Sequence, residues 1–128
     1  MILFRRITKY ALDHLNELQI EVTQNKGTEY PYSSSLLKLK SPGTYSCVVC
    51  SIPLFNSDEK FDSGSGWPSF YSPISTDKIT LSEDLSHNMA RIEVKCSECG
   101  SHLGHFFPDG AKSSRYCING CCLDFHSS

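Results

Sequence analysis

The chain has 128 residues, a net charge of −2 and a pI near 6.2, enough for one modest core and one site. With no basic run longer than Arg5-Arg6, the electrostatic footprint of a nucleic-acid binder is missing. No stretch approaches the roughly 20 apolar residues that cross a bilayer, and the start "MILFRRITKYALDHL" lacks the pattern of a secretory signal, so the expectation is a soluble, cytoplasmic, monomeric single domain over 1–128 without nucleic-acid or membrane partners.

Ile7, Ala11, Leu15 and Leu18 recur at three- and four-residue intervals, with Leu12 widening the stripe. This spacing predicts a short amphipathic helix over 7–20 that braces the domain. The next stretch, "TQNKGTEYPYSSS", is rich in turn-forming residues and reads as an irregular arm, so helix and arm together occupy about 5–35. From about 36 to 126 the chain reads as mainly β. "TYSCVVC", "ITLSED", "ARIEVKC" and "RYCINGCCLDF" show partial alternation and β-branched or aromatic enrichment, and turn clusters such as "FNSDEKFDSGSGWP" and "FFPDGAKSS" separate them. The pattern predicts two antiparallel sheets forming a small barrel-like domain.

Seven cysteines are present. Their odd number, without a signal peptide, favours metal ligation plus a free thiol over a disulfide framework. Cys47-Val-Val-Cys50 and Cys96-Ser-Glu-Cys99 each offer two sulfurs from one tight turn, and two such turns brought together make a tetrahedral four-sulfur site suited to structural Zn²⁺. Local redox pairs and free core thiols are the alternatives; a thioredoxin-like pair would need a βαβ context that is not apparent. A closed four-thiolate site stabilises a fold and leaves any chemistry to other residues.

Cys117, Cys121 and Cys122 remain unspent, beside "GSHLGHFFPDG" and "DSGSGWPSF". His102 and His105 are either ordinary structural histidines or partners of a sulfur nucleophile, since a thiol near an imidazole is an activated one. Arg115 shares strand parity with Cys117 and would add positive potential there. Trp67, the sole tryptophan, is either a loop anchor or the wall of a pocket for a small polarizable group.

Taken in order, "GTEYPY", "CVVC", "KFDSGSGWPSFY", "RIEVKCSECGSHLGHFFPDG" and "RYCIN" resemble the methionine sulfoxide reductases of the B type, the peptide-methionine (R)-S-oxide reductases. The likeness runs from about Glu21 to Phe125. It implies two antiparallel sheets, a structural zinc on Cys47, Cys50, Cys96 and Cys99, and Cys117 as nucleophile. It further implies that Trp67 and Phe107 face the substrate methyl group, that His102, His105, Arg115 and Asn119 form the polar side, and that Asp109 supports the pocket. The substrate would be methionine-R-sulfoxide in oxidised proteins or peptides, and also the free amino acid. The Cys117 sulfenic acid would be recycled by thioredoxin or another thiol.

The chain departs from many relatives at Ser65, where they carry a resolving cysteine. Cys121 and Cys122 are the substitutes at hand, or else small buried hydrophobes. If 117–121 stays extended, Cys121 lies roughly 13 Å from Cys117, beyond disulfide reach, so resolution would require a turn at Asn119-Gly120 or local unfolding of this end segment. Two rivals are a non-catalytic zinc-binding interaction domain and a redox sensor. The enzyme reading expects a low-pKa thiol at Cys117, and the interaction domain does not.

Overall fold

The computed structural model describes residues 6–108 and 114–128. Helix α1 spans Glu17–Asn25 and is followed by nine strands. These are β1 (Gly43–Cys47), β2 (Pro53–Asn56), β3 (Lys60–Phe61), β4 (Ser69–Phe70), β5 (Ile79–Asp84), β6 (Arg91–Cys96), β7 (His102–Phe107), β8 (Arg115–Ile118) and β9 (Leu123–Ser127). They form a three-stranded sheet in the order β2-β1-β9 and a six-stranded sheet in the order β3-β4-β8-β7-β6-β5, antiparallel throughout. The mainly β, two-sheet expectation holds. Among the described residues the two sheets are not joined by strand pairing into one closed barrel.

The core lies between the sheets. Tyr45, Leu54 and Phe55 from the small sheet meet Phe70, Val94, Leu103 and Ile118 from the large one, all fully buried. Phe55 stacks on Phe70 with centroids 4.4 Å apart, and Tyr45 meets the same ring edge-on at 5.2 Å. Such offset and edge contacts add to the transfer energy of burying the rings.

The helix begins later than the apolar spacing predicts, at Glu17 instead of Ile7. Asn16 and Gln19 form a capping box, each side chain bonding the other's backbone N–H at 2.8 Å, which fixes the start. Lys26 ends the helix in the left-handed conformation. Of the predicted stripe, Leu12 is buried, whereas Ile7 and Leu18 are exposed. The preceding segment is instead tied down by Gln24, whose Oε1 accepts the N–H groups of Ile7 and Thr8 at 2.8 Å. The helix packs against β7 and the 120–122 turn, the bracing role expected of it.

"RYCINGCCLDF" is two strands, not one. β8 belongs to the large sheet and β9 to the small one, with a 3-10 turn at Gly120–Cys122 between them. The turn lets the chain leave one sheet for the other, so the extended-chain separation of Cys117 and Cys121 does not apply. Among the described residues no helix is long and apolar enough to cross a membrane.

Candidate active site

Cys47 and Cys50 sit in the β1–β2 turn of the small sheet, and Cys96 and Cys99 in the β6–β7 turn of the large one. The two turns share one geometry. Ser51 N–H bonds the Cys47 carbonyl and Gly100 N–H the Cys96 carbonyl, both at 2.8 Å, and Ser51 and Gly100 both have positive φ (70° and 76°). Gly100 adopts that conformation freely; Ser51 does so at a steric cost.

The four sulfurs lie within 4.8 Å of one another, with Cys47–Cys99 at 3.7 Å and Cys50–Cys96 at 3.5 Å. A tetrahedron of thiolates around Zn²⁺ at about 2.3 Å has edges of roughly 3.8 Å, so donor set and spacing fit that ion. A metal held by these four sulfurs would join a turn of each sheet and anchor the start of β7.

β7 carries both histidines. Residues 102 and 105 of a regular strand face opposite sides, but the pairing slips between Val94 and Lys95, leaving Leu103 as the extra residue of a bulge. Parity is reset and the two rings meet edge-on at 5.5 Å. In the large sheet, Ser69, Cys117, His105 and Glu93 then stand directly opposite one another on β4, β8, β7 and β6. Directly opposite residues share a face with Cβ atoms about 5 Å apart. Gly104 permits this approach: a Cβ there would come within 2.0 Å of the Cys117 carbonyl.

Cys117 opens on a cleft of about 100 Å³ lined by Thr28, Trp67, Arg91, Gly104, His105, Phe107 and Asn119. That volume is about three waters' worth and suits a group of a few heavy atoms. Among the described residues that line a larger cleft of about 480 Å³ near Tyr32, Lys60 and Phe61, none carries a thiol or an imidazole.

Several predicted residues converge on the cleft and others support it from outside. Trp67, Phe107, His105 and Asn119 line it. His102 does not: it is 1% exposed behind His105, with Nδ1 2.8 Å from Glu93 and a buried Nε2 that has no partner among the described residues. Arg115 lies with its guanidinium 4.4 Å over the Phe107 ring and favours ionisation of Cys117. Asn119 uses its side chain on the backbone, donating to the Leu103 carbonyl and accepting the Glu29 N–H, both at 3.0 Å. Asp109 lies outside the described residues.

The Cys117 thiol is pushed up, not down. Burial is the main cause, and the Glu29 charge adds to it, against lowering by Ser65 and Arg115. The Ser65 hydroxyl stands 3.8 Å from the Cys117 sulfur. Cys122 is fully buried with its thiol on the His102 carbonyl at 3.5 Å, and Cys121 is half-buried against the core.

Sequence reasoning missed the carboxylates behind the histidines. Asp84 Oδ2 lies 2.7 Å from His105 Nε2, Lys26 reaches Glu93 at 3.2 Å, and Arg91 lies 3.8 Å from Asp84. Burial opposes ionisation of Asp84, but the hydrogen bonds from His105 and Ser86 and the Lys26 charge outweigh it and hold its pKa down. The ionised carboxylate fixes the proton on His105 Nε2 and leaves Nδ1 as an acceptor. Burial in turn lowers the His105 pKa. Asp84 stands in "ITLSED" and Glu93 in "RIEVKC", where alternation assigns them a strand face but nothing assigns that face a task.

These shifts share one sign. Asp84 and Glu93 are lowered, so their stabilisation is complete above the ordinary carboxylate pKa of about 4 and is lost as pH falls through the folded values. His105 is also lowered, so below about pH 6.5 the unfolded chain takes up the proton first and stability again falls with acid. Urea midpoints should decline steadily from about pH 7 to 4, and Asp84→Asn should flatten the acidic end. An unchanged slope in that variant would contradict the pairing.

A half-buried thiol opposite a histidine on the neighbouring strand, on a two-sheet scaffold with a four-cysteine cluster, is an arrangement suited to an oxidoreductase. Residues 15–127 match the SelR domain family. Over 114 residues the chain is 52% identical to the peptide methionine sulfoxide reductase MsrB of several Escherichia coli strains, covering 88% of this chain and 83% of the relative. The chain belongs to this family, as its motifs suggest.

Proposed function

We propose that this protein reduces methionine-R-sulfoxide, in oxidised proteins or peptides and as the free amino acid, with Cys117 as nucleophile. The observation that carries the reading is the cross-strand pairing of Cys117 with His105 at a cleft walled by Trp67 and Phe107. The substrate methyl lies against the aromatic wall and the sulfoxide oxygen toward His105, which tells the epimers apart.

The raised thiol pKa supports a self-contained proton balance. His105 Nδ1 takes the Cys117 proton as the sulfur attacks and delivers it to the sulfoxide oxygen, a poor leaving group until protonated. The oxygen passes to Sγ as the substrate S–O bond breaks. Sγ is oxidised by two electrons, the substrate sulfur is reduced by two, and the proton ends on the sulfenic acid. A reductant thiol then attacks Sγ, releasing water and forming a mixed disulfide that a second thiol cleaves.

Thioredoxin or another dithiol serves that step, acting directly on Cys117. The partners of Cys121 and Cys122 favour packing over resolution, while Ser65 holds the place beside the nucleophile. The metal on Cys47, Cys50, Cys96 and Cys99 is zinc, which closes the four-sulfur site and takes no part in turnover. A working set of thiols and thiolates suits a reducing compartment, hence the cytoplasm, and the site is built from a single chain.

The reading is tested by mixing reduced protein with each epimer of N-acetylmethionine sulfoxide without reductant. One N-acetylmethionine per protein should form from the R epimer, with loss of one thiol; reduction of the S epimer instead would refute the orientation. Ser65→Cys should give a disulfide between the introduced thiol and Cys117 after that turnover and raise thioredoxin-driven turnover about tenfold. Peptide mass spectrometry detects the disulfide, and its absence would show that position 65 is not within resolving reach.

A further inference from the structure

The mechanism leaves unused one buried carboxylate that touches both halves of the cleft. Glu29 lies in the arm after α1 and is 3% exposed. Its Oε2 accepts the Gly120 N–H at 2.7 Å and its Oε1 the Cys121 N–H at 2.9 Å. Its own N–H donates to the Asn119 side chain at 3.0 Å, and its carbonyl accepts the indole N–H of Trp67 at 3.1 Å. Among the described residues its carboxylate has amide donors and no ion pair. Charge-assisted bonds of this kind are strong and sensitive to geometry.

We propose that Glu29 is a positioning residue for the reaction, holding the turn that follows Cys117 with its carboxylate and the Trp67 wall with its main chain, so that one residue sets the distance from nucleophile to methyl pocket. The two grips act on different elements. The carboxylate caps the first amides of the 3-10 turn at Gly120–Cys122, where β8 leaves the large sheet, and the carbonyl reaches the loop before β4. A glutamine there presents an NH₂ group to one of two N–H donors that both need an acceptor. An aspartate keeps the charge but is one methylene too short to keep both bonds.

This inference rests on the sulfoxide-reductase reading, but two of its readouts do not use that activity. One is the emission of Trp67, the sole tryptophan. The other is the pH dependence of Cys117 alkylation by iodoacetamide, followed by peptide mass spectrometry. The Glu29 charge helps keep the thiol protonated, so Glu29→Gln should move alkylation of Cys117 to lower pH and shift the Trp67 emission. In the same variant kcat/KM for N-acetylmethionine-R-sulfoxide should fall about ten- to a hundredfold. A thiol that ionises more easily in a slower enzyme is a combination that a purely structural role does not produce. Glu29→Asp should keep the wild-type alkylation profile and raise KM, which serves if the glutamine variant does not fold. Wild-type kcat/KM together with wild-type Trp67 emission in either folded variant overturns the proposal. An inactive wild-type protein would instead sink the parent reading, leaving emission and alkylation to judge Glu29.

Discussion

Cys117→Ser is expected to abolish single-turnover reduction of methionine-R-sulfoxide, by more than about a thousandfold, while metal content and melting temperature stay near wild type. A hydroxyl is a far weaker nucleophile toward sulfur and cannot hold the oxygen as a sulfenic acid. The position is half-buried on β8, opposite His105 and beside Ser65, and serine is smaller and polar in a setting that already contains a hydroxyl. The fold therefore tolerates it. The comparison to make is methionine formed per protein in the first turnover, with thiol loss counted in parallel. Activity retained in the serine variant would remove Cys117 from the centre of the reaction and sink its assignment as nucleophile.

The second large effect is on stability. Stripping the metal with a chelator under reducing conditions, or replacing Cys96 by alanine, should cost several kcal/mol and lower the melting temperature by more than about 10 °C. Cys96 is fully buried at the end of β6, and its sulfur lies 3.5 Å from that of Cys50 in the other sheet. Without an ion, up to four sulfurs crowd one pocket and the link between the two turns is lost. Activity should fall with stability, because the same turn starts β7 and so sets His105 against Cys117. Elemental analysis before and after chelation, with thermal melts of both forms, checks this; an unchanged melt in the metal-free protein would make the cluster incidental.

Much of the site was legible because its chemistry uses rare residue types at short spacings. The paired C-x-x-C turns identify a four-sulfur cluster, and "RYC", "HLGH" and "GWPSF" name the thiol, the imidazole and an aromatic wall. The parity of Arg115 and Cys117 is also a local property, and both do face one side of β8. His102 and His105 were harder: i and i+3 on a strand diverge, and only the bulge at Leu103 brings their rings together. It also left just one of them in the cleft.

The helix start shows a different limit. Apolar spacing over 7–20 is real, but the capping box at Asn16 decides where the turns begin, and Gln24 secures the preceding segment by polar bonds that hydrophobic periodicity does not register. Glu29 and Asp84 were invisible for a related reason. Each is an ordinary acidic residue in sequence, and is brought to the site only through partners about ninety and about twenty residues away.

The last cysteines separate the two levels most clearly. By itself the sequence determined that Cys47, Cys50, Cys96 and Cys99 form a candidate ligand set, because that follows from knuckle spacing, and left three further thiols, among which the resemblance to the B-type sulfoxide reductases singled out Cys117. Only the tertiary structure decided what "NGCC" does. The 3-10 turn carries the chain from one sheet to the other, buries Cys122 against the His102 carbonyl and gives the Cys121 amide to Glu29. The physical reason is that sheet membership and burial are set by long-range pairing, which has no signature within a few residues of sequence.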